Sequence, residues 1–153
     1  MKKKSSSKLP QALFSGLAGS MVLTLLHENA RRIAPDVAPR MDVLGMRALR
    51  KLLNKADAPQ PDHDTLFNAT MAGDILTNGL YYSLVGKGKK AWGRGAMLGL
   101  AAGIGGVLLP GPLGLGKAPS SRTPQTKLMT VAWYLVGGLA AAGASRLWSK
   151  ARK

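Results

Sequence analysis

Four runs with one charge or none, set apart by basic clusters and proline-rich segments, dominate the pattern along the chain. Leu9 to Leu26 is uncharged and, at about 1.5 Å per residue, reaches roughly 27 Å, just enough to cross the hydrocarbon layer of a bilayer. Leu66 to Gly86 holds a single charge, Asp74. Trp92 to Leu109 is ended by "PGPLGLG", and Leu128 to Trp148 completes the set. Nothing alternates with period two for long enough to predict a strand.

Between the first two runs the pattern changes. "PDVAP" breaks the helix, and residues 40–56 then follow a period of 3.6. Met41, Leu44, Ala48, Leu49, Leu52 and Ala56 share one face, while Arg40, Arg47, Lys51, Asn54 and Lys55 lie towards the other. A basic amphipathic helix of this kind suits a membrane surface or the end of a bundle. The expected fold is all-α: an integral membrane bundle of four transmembrane helices, with a short amphipathic helix between spans 1 and 2. The domain would cover residues 9–148, after a disordered basic N-terminus, 1–8, and before a basic tail, 149–153.

Charge sharpens this picture. The chain has 22 Lys and Arg against 7 Asp and Glu, a formal net charge of +15. Its basic residues cluster at the ends of the runs, as Lys2, Lys3, Lys4 and Lys8, then Lys87, Lys89, Lys90 and Arg94, then Arg146, Lys150, Arg152 and Lys153. Basic flanks on membrane spans account for that charge. A nucleic-acid surface would interleave aromatics with the cations, but Trp92, Trp133 and Trp148 all lie in or near apolar runs. The expected surroundings are a lipid bilayer with anionic head groups, and no nucleic acid. With four spans, both termini fall on one side. The basic ends and the 87–94 turn favour the cytoplasmic face of a bacterial inner membrane, although a basic surface helix on the opposite side argues the other way. A cleaved secretory leader would also start with a basic segment and an apolar core, yet Glu28 occupies position −3 of a cut after Ala30.

Membrane helices approach closely where small residues recur four apart. Gly95, Gly99 and Gly103 form such a series in the third run, like a glycine zipper. Gly16 and Ser20 occupy the first, Gly79 and Ser83 the second, and Gly138 and Ala142 the fourth. These pairs predict a tight bundle, with a homo-oligomer or a membrane partner subunit both open.

Candidate chemistry centres on Asp74. Thr70, Asp74, Thr77, Asn78 and Tyr81 form a polar stripe on one side of the second run. An ionised Asp near the bilayer centre costs on the order of 2.5–3.5 kcal/mol, so it should face the bundle interior. Matching depths in the other spans brings Thr130 and Tyr134 to its level as partners. The site would handle a proton, an ion or a small solute, or else hold helices together by hydrogen bonds. The chain as a whole would then be a transporter-like protein without evident catalytic machinery, or an accessory or scaffold subunit of a larger membrane complex. A metal-dependent membrane enzyme is a distant third. For that reading His27, Glu28, His63 and Asp64 fall near one membrane face, but "LLHENARR" lacks the second His of H-E-x-x-H, and Asp62 or Asp64 more simply caps a helix. There is no Cys, which excludes disulfides and thiolate sites. "GKGKKAWGRG" lacks the order of a phosphate-binding loop, and no cofactor is expected.

Overall fold

The computed structural model of the protein describes residues 8–151, and within them every regular element is helical. Helix α1 is Lys8–Ile33, α2 Met41–Lys55, α3 His63–Tyr82, α4 Ala91–Leu108, α5 Ala118–Ser121 and α6 Pro124–Ala151. A 3₁₀ turn, Ser83–Val85, follows α3. The expected disordered segment lies outside the described residues, except Lys8, which opens α1. Of the expected C-terminal tail, Ser149 to Ala151 extend α6.

Local chemistry sets the helix ends. Asp62 caps α3, its Oδ1 accepting from the backbone N–H of Asp64 and Thr65 at 3.0 Å each. Hydrogen bonds from Thr65, side chain before backbone, hold the exposed Asp62 carboxyl below the usual carboxylate range. Helix α6 starts four residues before Leu128, because Thr123 Oγ1 accepts from the Thr126 N–H at 3.0 Å and Pro124 sits where no backbone donor is needed. Helix α1 continues past Leu26 through "HENARRI" until Pro35 disfavours the helical conformation before it.

The long helices run antiparallel to their neighbours. Gln11 of α1 donates to the Ser145 carbonyl of α6 at 2.9 Å and to Ser149 Oγ at 2.7 Å, so the start of α1 meets the end of α6. Ser145 Oγ donates to the Gly86 carbonyl at 2.6 Å, placing the 86–90 turn at that same end. At the opposite end lie α2, α5 and the loop between α4 and α5. There the Arg40 N–H donates to the Pro119 carbonyl at 2.7 Å.

Glycine governs the main interfaces. The buried residues of α4 are only Ala91, Gly95, Gly99 and Gly103. A Cβ on Gly99 would stand 2.6 Å from the Leu135 Cα, one on Gly103 2.7 Å from the Val131 Cα, and one on Gly95 would overlap the Gly138 carbonyl and approach Ala142. Likewise a Cβ on Gly16 would overlap the Gly79 carbonyl, and Ser20 Oγ donates to the Ile75 carbonyl at 2.8 Å, joining α1 to α3. Helix α6 is therefore clasped between α1 and α4, while α3 leans mainly on α1 and α2 and meets α4 at few places.

By length and composition, two helices are apolar enough to cross a membrane, α1 and α6. The four runs expected to span thus divide into two that meet this test and two that do not. Helix α3 carries Asp74, Asn78 and a polar first turn. Helix α4 is long enough, but Arg94 and its many glycines lower its mean hydropathy.

Helix α2 packs by its first half alone. Leu44 and Asp42 are buried, whereas Leu52 is 64% exposed and Ala56 is also on the surface. The amphipathic face expected to extend from Met41 to Ala56 therefore ends early, beyond the reach of α3. Two cations of its polar face anchor a neighbouring loop. Arg47 donates to the Leu115 carbonyl at 2.7 Å and Lys51 to the Leu113 carbonyl at 2.5 Å. They tie down the segment after α4, which turns through positive φ at Gly114 and Gly116.

Candidate functional site

Where α3 stands away from α4, a cavity of about 570 Å³ opens between them, closed at one end by α2 and the loop after α4. Asp74, Thr77, Asn78 and Tyr81 of α3 line it, facing Ala101, Ala102, Gly105 and Gly106 of α4 and Tyr134 of α6. Met41, Leu44 and Ala48 of α2 form an apolar end wall. Among the described residues, Asp74 is the one acidic group on this surface, and no Lys or Arg lines it.

The polar groups are held individually. Asp74 Oδ1 accepts from Asn78 Nδ2 at 2.8 Å, one helical turn on. Thr77 Oγ1 turns back to the Gly73 carbonyl at 2.7 Å. Tyr81 crosses the seam, its hydroxyl donating to the Leu98 carbonyl of α4 at 2.9 Å. The next residue, Tyr82, is fully buried and donates to the Tyr134 carbonyl at 2.7 Å. Gly137 leaves room for that ring: a Cβ there would lie 2.9 Å from the Tyr82 hydroxyl.

Most of the polar stripe predicted on α3 therefore lines one cavity, together with Tyr134. Thr70 and Thr130 do not line it. The Thr130 hydroxyl donates to the carbonyls of Ser120 (2.9 Å) and Thr126 (2.8 Å), because the short α5 lies against this end of α6. Thr70 is buried against α2, where the absent side chain of Gly45 accommodates its methyl group. The carboxylate's hydrogen-bond partner also differs from expectation: it is Asn78 on the same helix, not a hydroxyl from a neighbouring one.

His27 and Glu28 end up apart from His63 and Asp64. His27 is buried beside the Tyr134 ring, 5.7 Å between centroids, and Glu28 pairs with Arg31. His63 lies on the surface, 3.4 Å from Asp64. Among the described residues, no group of three His, Cys, Asp or Glu is placed to hold a metal ion.

Asp42, which no pattern in the sequence singled out, is almost fully buried beside this site. Arg40 holds it through its Nε at 3.0 Å and a terminal nitrogen at 2.8 Å, with Arg31 at 3.6 Å. Burial alone would raise its pKa, but the Arg40 hydrogen bonds and charge outweigh that and hold the carboxyl below its ordinary value. The available cue was an acidic residue two positions after an arginine at a helix start.

No protein-family model matches the chain, and no curated protein or solved structure matches it.

Proposed function

We propose that the chain is a four-span integral membrane protein, with α1, α3, α4 and α6 as the spans, and that its α3–α4 cavity binds a small apolar solute bearing a positive charge. The membrane part is supported by an inverted burial pattern. In α1 the buried positions include Gln11, Ser15, Gly16, Gly19 and Ser20, while Phe14 is 46%, Leu17 42% and Met21 57% exposed. Helices α3, α4 and α6 likewise turn Leu76 and Leu80, Met97 and Ile104, and Leu128 and Leu147 outward. Outward-facing apolar side chains around a core that is largely small and polar residues, joined by Leu23, Leu66, Tyr82 and Val85, suit lipid, where close backbone packing holds helices together. Both termini and the 86–90 turn then share the cytoplasmic face.

The solute reading rests on one observation: a lone carboxyl in an apolar cavity without a basic residue on its walls. Such a wall opposes anions and offers one counter-charge to a cation whose body is apolar. The volume falls in the range of small-molecule sites, about 300–1,000 Å³.

Two experiments test these parts. For the spans, single cysteines replacing Lys89 or Ala151 should react with an impermeant thiol reagent from one side only, and those replacing Pro59 or Ser121 from the other. A mixed result within either pair overturns four spans. For the solute, tetraphenylphosphonium and tetraphenylborate have nearly the same shape and opposite charge. Purified protein at pH 8 should bind the cation, and Asp74→Asn should weaken it by about tenfold or more. Equal binding of both ions, or an unaffected Asp74→Asn variant, would remove Asp74 from recognition.

A further inference from the structure

Asp74 also forms part of the wall of a second cavity, of about 20 Å³, on the side facing α1 and α2. Thr24, His27, Glu28, Asp42 and Thr70 share that wall. The space suits a single water, which needs about 10–15 Å³ and two to four polar partners. Those partners are waiting: Thr24 Oγ1, His27 Nε2 and Thr70 Oγ1 make no hydrogen bond to any protein atom, although His27 is only 8% and Thr70 7% exposed. Buried polar atoms are rarely left unpaired. Three of them around a water-sized space point to a built hydration site.

We propose that one water held by Thr24, His27 and Thr70 connects the Asp74 carboxyl to the His27 imidazole, forming a proton path from the solute cavity to the membrane face. The path takes Asp74 as the ionisable group of that cavity and so rests on the reading above. When a cation arrives, the Asp74 O–H bond breaks and its proton passes to the water. The water gives one of its own protons to His27 Nε2, forming an N–H bond and an imidazolium. Carboxylate and imidazolium replace two neutral groups, and no electrons are exchanged; the imidazolium N–H then gives its proton to solvent beside Glu28, leaving His27 neutral again. The exit lies beside His27, since the Glu28 side chain is 22% exposed and borders the same cavity. The charged and titratable groups around His27 are Glu28 and Arg31 of α1, Asp42 with its partner Arg40 at the start of α2, Asp74 of α3 and Tyr134 of α6. Imidazole has two ring nitrogens, each able to take or give a proton, which suits the middle of such a path.

The chain has two histidines, and His63 is exposed and serves as an internal reference. Their imidazole nitrogens can be followed by NMR in the full-length protein in micelles at neutral pH. In Asp74→Asn the Nε2 signal of neutral His27 should shift, because the water loses the carboxyl O–H that donates to it, while the His63 signals stay in place. Thr70→Val should weaken this coupling and Thr70→Ser should restore it, which separates the hydroxyl from mere packing. Stopped-flow mixing with tetraphenylphosphonium and a pH indicator gives the rate. His27→Gln, which keeps a hydrogen-bonding side chain, should slow proton release by about tenfold or more and leave its final amplitude unchanged. An unchanged His27 Nε2 signal in Asp74→Asn, or an unchanged release rate in His27→Gln, overturns the path. If wild-type protein binds no tetraphenylphosphonium, the solute reading fails alone, and the Nε2 signal still decides the path.

Discussion

Helix α4 has two working sides, and they are built in opposite ways. Towards α6, Gly95, Gly99 and Gly103 let the backbones touch, so that any Cβ would collide with the neighbouring helix. Towards α3, Ala101, Ala102 and Gly105 are equally small, yet the helices stay apart around Asp74. Small residues alone therefore do not close an interface. The partner must also present a surface that can approach, as α6 does with Leu135 and Gly138. Helix α3 presents a carboxyl, an amide and the Tyr81 strut instead. One side of α4 holds the bundle together and the other borders open space.

The largest effect should come from placing the same side chain on both sides. Gly99→Leu should destabilise the protein by about 3 kcal/mol or more, because backbone atoms of α6 must move. Ala101→Leu should change stability by less than about 1 kcal/mol, as expected where open space receives the added atoms, and instead weaken cation binding by intruding on the cavity. Unfolding in mixed micelles, with tetraphenylphosphonium binding measured alongside, checks both. Similar losses of stability would erase the distinction between the two sides.

An intermediate effect is expected from Tyr81→Phe. It removes the one side-chain hydrogen bond found between α3 and α4 among the described residues, a loss of about 1 kcal/mol. Hydrogen exchange should quicken in α3 near Asp74 and remain unchanged in the glycine-packed part of α4. Equal acceleration in both would mean that the strut serves the whole bundle.

The smallest effect concerns Asp42, at the closed end of the cavity. Its carboxyl titrates lower in the folded protein than in the unfolded chain. Its contribution is thus fully present above the ordinary carboxylate pKa of about 4 and is lost as pH falls below it, through the folded value. Asp42→Asn should flatten this acid limb of the stability profile. An unaltered limb would assign the acid sensitivity to other carboxylates.

Much of this arrangement was legible along the chain. Glycine at every fourth position of α4 identified its packing side, since that spacing has few other uses in an apolar helix. Asp74, Asn78 and Tyr81 could be placed on one face by periodicity alone. The rest depended on tertiary neighbours. Thr130 is drawn to Ser120 by α5, a four-residue helix that sequence periodicity cannot reveal. Arg47 and Lys51 looked like head-group contacts until the loop after α4 folded over them. His27 was notable as a metal candidate, but its closeness to Asp74 requires α1, α2 and α3 to meet at one small cavity.

The α3–α4 seam is open and of ligand size, while the glycine-packed face between α4 and α6 is sealed. With no cysteine in the chain, a single cysteine reports without background. Ala101→Cys in the seam should react with N-ethylmaleimide, and tetraphenylphosphonium should protect it. Ala141→Cys, at a fully buried position of α6, should react at least about tenfold more slowly and be indifferent to the cation, since a sealed site opens only through local unfolding. Equal reaction rates at the two positions, or no protection at Ala101→Cys, would mean that the seam is no more open than the packed core.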